Sequence, residues 1–147
     1  MSEAKLKSLQ PAIEKLSADG HSCVGADRDG KIIFVSKECG LKPLMDRIME
    51  DPDGLRGLYI ADKIIGKAAA CLIIYAGAAA CHGLTMSEPA SRLLNKSGVP
   101  FSYGQMVPFI RNKAGTGMCP TELAVETAEG AASGFEAIMS FFNAKAR

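Results

Sequence analysis

The sequence predicts a single α/β domain in which helices cover the faces of a mixed sheet. Three observations carry this. Apolar residues recur at three- and four-residue steps near both ends of the chain, the spacing of one helix face. A polar Asp27-Arg28-Asp29-Gly30 turn separates two strand-like segments, the pattern of an antiparallel hairpin. Beyond it strands alternate with helices, and a crossover helix between strands favours a parallel pair. The length of 147 residues suits one domain, since chains of that size bury roughly two-thirds of their unfolded surface.

Taken in order, Leu6, Leu9, Ile13 and Leu16 share one helix face while Lys5, Lys7, Glu14 and Lys15 fall elsewhere. That is one amphipathic helix, closed near Asp19-Gly20. Residues 22–26 and 31–36 form the hairpin, with Gly30 where a positive φ is wanted. Pro43 opens a short helix through Met49, ended by Asp51-Pro52. Asp62 reads as the N-cap of a helix reaching Tyr75-Ala76-Gly77, and residues 78–85 as a buried strand. Ser87-Glu88-Pro89 opens another helix, which stops at Lys96-Ser97-Gly98. Residues 99–103 are expected as a strand and 104–117 as a loop with room for one turn. Cys119-Pro120-Thr121-Glu122 starts the last helical region, broken near Gly130-Ala131-Ala132-Ser133-Gly134. Phe135, Ile138, Met139 and Phe142 then line one face. No repeat, linker or low-complexity block divides the chain, so residues 1–147 are expected as one domain.

Seventeen basic residues against sixteen acidic ones leave a net charge of +1, with no Lys/Arg cluster. Duplex nucleic acid is therefore not an expected partner, because such binding rests on a basic excess that releases phosphate counterions. A small anionic molecule is compatible with this balance. Five cysteines form an odd set with no CxxC and no close Cys/His spacing, so neither a disulfide framework nor a zinc knuckle is indicated. The first twenty residues are charged and lack an apolar signal core, which with the cysteine usage points to a cytoplasmic protein. The uncharged run from Ala68 to Ala80 is shorter than the ~20 apolar residues that a spanning helix needs, so no membrane span is expected.

Several uncommon strings stand in order: Ala61-Asp62-Lys63-Ile64-Ile65-Gly66-Lys67-Ala68-Ala69-Ala70, Ser87-Glu88-Pro89-Ala90, Val99-Pro100-Phe101-Ser102-Tyr103-Gly104, Val107-Pro108 and Gly115-Thr116-Gly117-Met118-Cys119-Pro120. Over roughly residues 21–122 the chain resembles a small bacterial and archaeal family of unknown function, the domain known as DUF1893. The resemblance implies a divergent cytidine-deaminase-like fold, a three-layer α/β/α arrangement around a mixed sheet with the N- and C-terminal helices packed on it. Zinc deaminases place a His- or Cys-x-Glu at one helix start and Pro-Cys-x-x-Cys at the next. Here the corresponding openings read Ala61-Asp62-Lys63 and Pro89-Ala90-Ser91-Arg92. The ligands and the glutamate are absent from both, so no zinc, no other cofactor and no zinc-dependent deamination are expected.

The candidate site residues follow from the helix openings. Lys63 and Lys67 are four apart, a spacing that shares a helix face, and Asp62 precedes them. They read either as an anion-binding corner helped by the helix dipole or as two solvent-seeking lysines beside a plain cap. Capping alone accounts for Ser87 and Glu88. The resemblance, however, sets that opening beside Asp62, giving a cleft with Asp62, Lys67, Ser87 and Glu88. Gly115, Thr116 and Gly117 suit a loop whose amides turn toward an anion, or simply a tight turn. Arg111 and Asn112 stand ready to complete an anion site. Cys119, at a helix start, reads as a reactive catalytic thiolate or as a small buried cap. His21 and His82 stand alone, and Phe141 lies off the apolar face, where it marks a contact in a homo-oligomer or nothing.

The function expected is that of a metal-free small-molecule-binding protein whose ligand carries a phosphate or carboxylate. Its cleft would lie between the Asp62 and Ser87 openings under the 111–119 loop. The alternatives are a non-catalytic sensor or interaction module and a thiol-dependent enzyme using Cys119.

Overall fold

A computed structural model describes residues 3–145 of the chain. The elements run α1 (Glu3–Lys7), α2 (Gln10–Ala18), β1 (Cys23–Ala26), β2 (Ile32–Ser36), α3 (Lys42–Glu50), β3 (Tyr59–Ile65), α4 (Lys67–Tyr75), β4 (Ala80–Ser87), α5 (Glu88–Ser97), β5 (Phe101–Val107), α6 (Pro120–Val125) and α7 (Ala131–Lys145). The strands form one mixed sheet in the order β2-β1-β3-β4-β5. β1 is antiparallel to both β2 and β3, whereas β3, β4 and β5 are mutually parallel.

Local chemistry explains the hairpin. Asp27 Oδ1 accepts the amides of Asp29 and Lys31, and Gly30 takes φ 87°, a conformation that glycine adopts at no steric cost. The Phe34 ring fills the space where a Cβ of Gly25 would stand, and the Arg47 guanidinium lies 4.7 Å from its centroid. At the start of α5, Ser87 Oγ accepts the Ala90 amide at 3.2 Å, and Gly98 closes the helix in the left-handed region at φ 73°.

The element order departs from the sequence expectation mainly at β3. Asp62 is not a helix cap, because residues 59–65 form a strand and α4 begins at Lys67 after an extended Gly66. Lys63 therefore lies on a strand, and it shares no helix face with Lys67. The first helix divides at Ser8-Leu9 into α1 and α2, where Pro11 occupies the opening turn of α2. Proline is favoured there because its missing N–H needs no intrahelical partner. β4 and β5 each begin two residues later than expected. β5 also continues through Val107 into the expected loop, pairing Met86 with Met106 and Ser87 with Val107.

Helices cover both faces. On one, α2 sets Ala12 and Leu16 against Val24, Ala26 and Ala61, while Leu9 meets Tyr59 and Ala80. On the other lies the main core, where α4 is buried from Ala68 to Ile73 against Ile60, Ile65, Cys81 and Met86. α7 packs on α4, with Phe135 stacked on Tyr75 at 4.1 Å between centroids. Gly134 makes this approach possible, since a Cβ there would fall on the Cys71 sulfur. Its φ is not positive, so a substitution reports packing rather than backbone strain. Gly134→Val is expected to lower stability by about 1–3 kcal/mol through overpacking, even though glycine is the poorer helix former. Urea unfolding measures this, and an unchanged midpoint would mean that α7 does not dock through this contact.

Candidate functional site

The carboxyl ends of β3 and β4 are where α4 and α5 begin, the position at which open α/β sheets generally hold ligands. α4 cannot cap itself there, because Gly66 has no side chain. Glu122 of α6 supplies the acceptors. Its Oε1 accepts the Lys67 amide at 2.7 Å and its Oε2 the Ala68 amide at 2.8 Å, across 55 and 54 residues of sequence. Gly66 leaves room for this, since a Cβ there would collide with the Glu122 carboxylate and with Ile110. Burial pushes the Glu122 pKa up, and the Ala68 and Lys67 amides with the Lys67 charge oppose that rise. The anion position at the α4 N-terminus is thus filled by the protein's own carboxylate.

Beside this contact lies a cleft of about 380 Å³ between α5 and the segments that carry Phe109, Met118 and residues 126–129. Leu93, Phe109, Met118 and Ala128 give it apolar surface, and Lys67, Arg92, Lys96, Glu122, Glu126 and Glu129 give it charge. Lys67 Nζ donates to the carbonyls of Glu126 at 3.2 Å and Ala128 at 2.6 Å. Lys96 Nζ donates to the Glu129 carbonyl at 3.1 Å. The Arg92 guanidinium has no hydrogen-bond or ion-pair partner among the described residues.

Of the residues singled out from the sequence, Lys67 lines this cleft and the others stand elsewhere. Asp62 is buried on β3 beside Cys23, its Oδ1 accepting the Ile64 amide at 3.2 Å. Burial raises its pKa to about 7, and the Cys23 thiol is pushed well above its usual value by burial and by Asp62. Lys63 is exposed on the same strand. Ser87 is a fully buried cap, and Glu88 is exposed outside the cleft. Asn112, Gly115, Thr116 and Gly117 close a small hairpin bridged at Arg111 and Met118. Asn112 Oδ1 accepts the Thr116 amide at 3.0 Å, its Nδ2 donates to Thr116 Oγ1 at 3.2 Å, and its amide donates to the Gly117 carbonyl at 2.8 Å. Cys119 is half-buried, with Sγ 3.3 Å from Thr121 Oγ1; its neighbour Met118 reaches the cleft, and Cys119 does not. Phe141 packs edge-on to Phe142 with the Lys145 ammonium 5.6 Å from its ring centroid.

The sequence reading missed Arg92, Lys96, Glu122, Glu126 and Glu129 as a group. Arg92 and Lys96 had one available signal, the four-residue spacing that aligns them on α5. Among the described residues no group of three or more His, Cys, Asp or Glu converges to hold a metal ion. On the opposite sheet face, His82 Nδ1 lies 2.7 Å from Ser102 Oγ, and burial lowers the His82 pKa.

Two expectations follow. Gly66→Ala and Glu122→Ala should each destabilise by about 1–3 kcal/mol, because both strip acceptors from buried amides. Their effects should fall short of additive in the double variant, since both disrupt the Glu122 contact and only the collision with Ile110 is particular to Gly66→Ala. Additive losses in urea unfolding would show that Gly66 serves another purpose. Asp62 yields the second. Its folded pKa of about 7 exceeds the ordinary 3.8, so its contribution is fully present below pH 4 or so and is lost as pH rises through about 7. Glu122 adds a slope of the same sign. Stability measured from pH 5 to 7 should therefore fall, by up to about 1.4 kcal/mol per pH unit from Asp62. Asp62→Asn should flatten that decline, and equal slopes in both proteins would refute the assignment.

The family model described as a domain of unknown function (DUF1893, TM1506) matches residues 11–142. Among solved structures, the crystal structure of a DUF1893 family protein (TM1506) from Thermotoga maritima at 2.70 Å resolution is similar at 30% identity and a TM-score of 0.83. The match covers 95% of this chain and 91% of that one. No curated protein matches. With the family match spanning nearly the whole described chain and a solved member sharing its fold, the protein belongs to the DUF1893 family of unknown function.

Proposed function

We propose that the protein is a metal-free small-molecule-binding protein of deaminase-like fold, and that its ligand carries a phosphate or carboxylate. The observation that carries the reading is the convergence of Lys67, Arg92 and Lys96 on one cleft at the carboxyl end of the parallel strands, with the Arg92 guanidinium unpartnered among the described residues. Guanidinium offers a planar fork that matches either oxyanion. Glu122 already occupies the amides of α4, so side chains rather than the helix terminus would attract the ligand. The apolar surface of Leu93, Phe109 and Met118 suits its carbon skeleton.

A mixed sheet with helices on both faces supports the deaminase-like arrangement. The metal-free part rests on residue chemistry. The α4 opening reads Gly66-Lys67-Ala68 and the α5 opening Ser87-Glu88-Pro89-Ala90, neither of which offers the His or Cys that zinc takes in deaminases. Free cysteines support a reducing, cytoplasmic setting. No helix among the described residues is long and apolar enough to cross a membrane.

Titration calorimetry with inorganic phosphate and butyl phosphate tests the proposal. Arg92→Gln should weaken butyl phosphate roughly tenfold or more, the scale of a charge-assisted hydrogen bond. Lys67→Met should weaken it as well, and Lys63→Met should leave it unchanged. Equal effects at Arg92, Lys67 and Lys63, or no binding at all, would reduce the three cations to ordinary surface charge.

A further inference from the structure

We propose that the ligand of this cleft is amphoteric, with an anionic group held by Arg92 and a protonated amine on the same molecule held by Glu126 and Glu129. The inference rests on the anion-binding reading and adds the second half of the ligand. Its starting point is how the cleft spends its charges. Lys67 and Lys96 come from α4 and α5, and each donates to main-chain carbonyls of the segment linking α6 to α7. Those carbonyls include the ones of Glu126 and Glu129 themselves. The lysines thus anchor the backbone of the two acidic residues and leave their carboxylates alone.

Among the described residues, neither the Glu126 nor the Glu129 carboxylate has a hydrogen-bond or ion-pair partner, and Arg92 has none either. Exposed opposite charges gain only about 0–1 kcal/mol by pairing with each other, so both walls keep their charges available. Here they are presented by different elements, Arg92 by α5 and the two glutamates by the 126–129 link. A single molecule with both signs of charge satisfies the two walls at once. A purely anionic molecule leaves the carboxylates uncompensated beside its own charge, which weakens its binding. Leu93, Phe109 and Met118 give the carbon chain between the two groups an apolar surface.

The test compares matched pairs by titration calorimetry near neutral pH: phosphoethanolamine against ethyl phosphate, and 4-aminobutyl phosphate against butyl phosphate. In at least one pair the amine should tighten binding tenfold or more. The Glu126→Gln/Glu129→Gln double variant should erase that difference while strengthening the amine-free phosphate, a change that a merely structural role would not produce. Both side chains are exposed, and an unchanged melting temperature confirms that the variant folds. Arg92→Gln should weaken all four compounds. If each pair binds equally and Arg92→Gln still matters, the amphoteric ligand is overturned and the anion site stands. If none of the four binds, both readings fall.

Discussion

Two backbone hydrogen bonds from the first turn of α4 to the Glu122 carboxylate are the contact on which the rest of this molecule depends. α4 is apolar almost throughout and lies at the centre of the main core. The Ala68 amide is buried away from water, and a buried amide without an acceptor costs about 1–3 kcal/mol. A serine or aspartate at the cap would be the local remedy. Gly66 stands there instead, and the acceptors arrive from 55 residues away. One contact therefore ties the central helix to α6. Lys67 repeats the tie in the other direction, from its ammonium to the carbonyls of Glu126 and Ala128.

This arrangement shapes the cleft. The dipole of α4 is satisfied internally, so the helix end has little left to offer a ligand. On the proposed reading, recognition would pass to side chains on α5 and on the link between α6 and α7. The hairpin at 111–118 completes the enclosure by holding Phe109 and Met118 in place, helped by the Cys119 amide, which donates to the Ile110 carbonyl. Its glycines and Asn112 serve that hairpin. The Thr116 amide, which an anion nest would need, is already bonded to Asn112.

What the sequence made legible was what local chemistry dictates. The Asp27–Gly30 turn, the Ser87 cap and the Gly98 stop all depend on residues within a few positions of one another. β3 is ambiguous in sequence, because Asp62 before a short apolar run looks the same to a cap rule and to a strand whose polar residue points inward. The true boundary was Gly66, and its reason lies on another element. The charged cleft was illegible for a similar cause. Arg92, Lys96, Glu126 and Glu129 read as ordinary surface charges until α5 and the 126–129 link are folded against each other. Single-sequence reasoning sees spacing along an element and not the meeting of two elements.

The two buried carboxyls show why a raised pKa does not by itself mark a working site. Asp62 and Glu122 are both desolvated, and both have raised values for that reason. Perturbed carboxyls do cluster at functional sites, but structural networks perturb them too. Geometry separates the cases. Asp62 sits in the sheet with the Cys23 thiol and the backbone amides of Ile64 and Lys63 for company, away from the cleft. Its raised pKa is therefore a property of stability. Glu122 touches the cleft and the helix opening at once. Its oxygens each hold an opening amide of α4, so using Glu122 on a ligand would loosen the first turn of that helix. The fold thus gives Glu122 a structural duty at the cleft, and the proposed ligand would meet the unpaired charges around it.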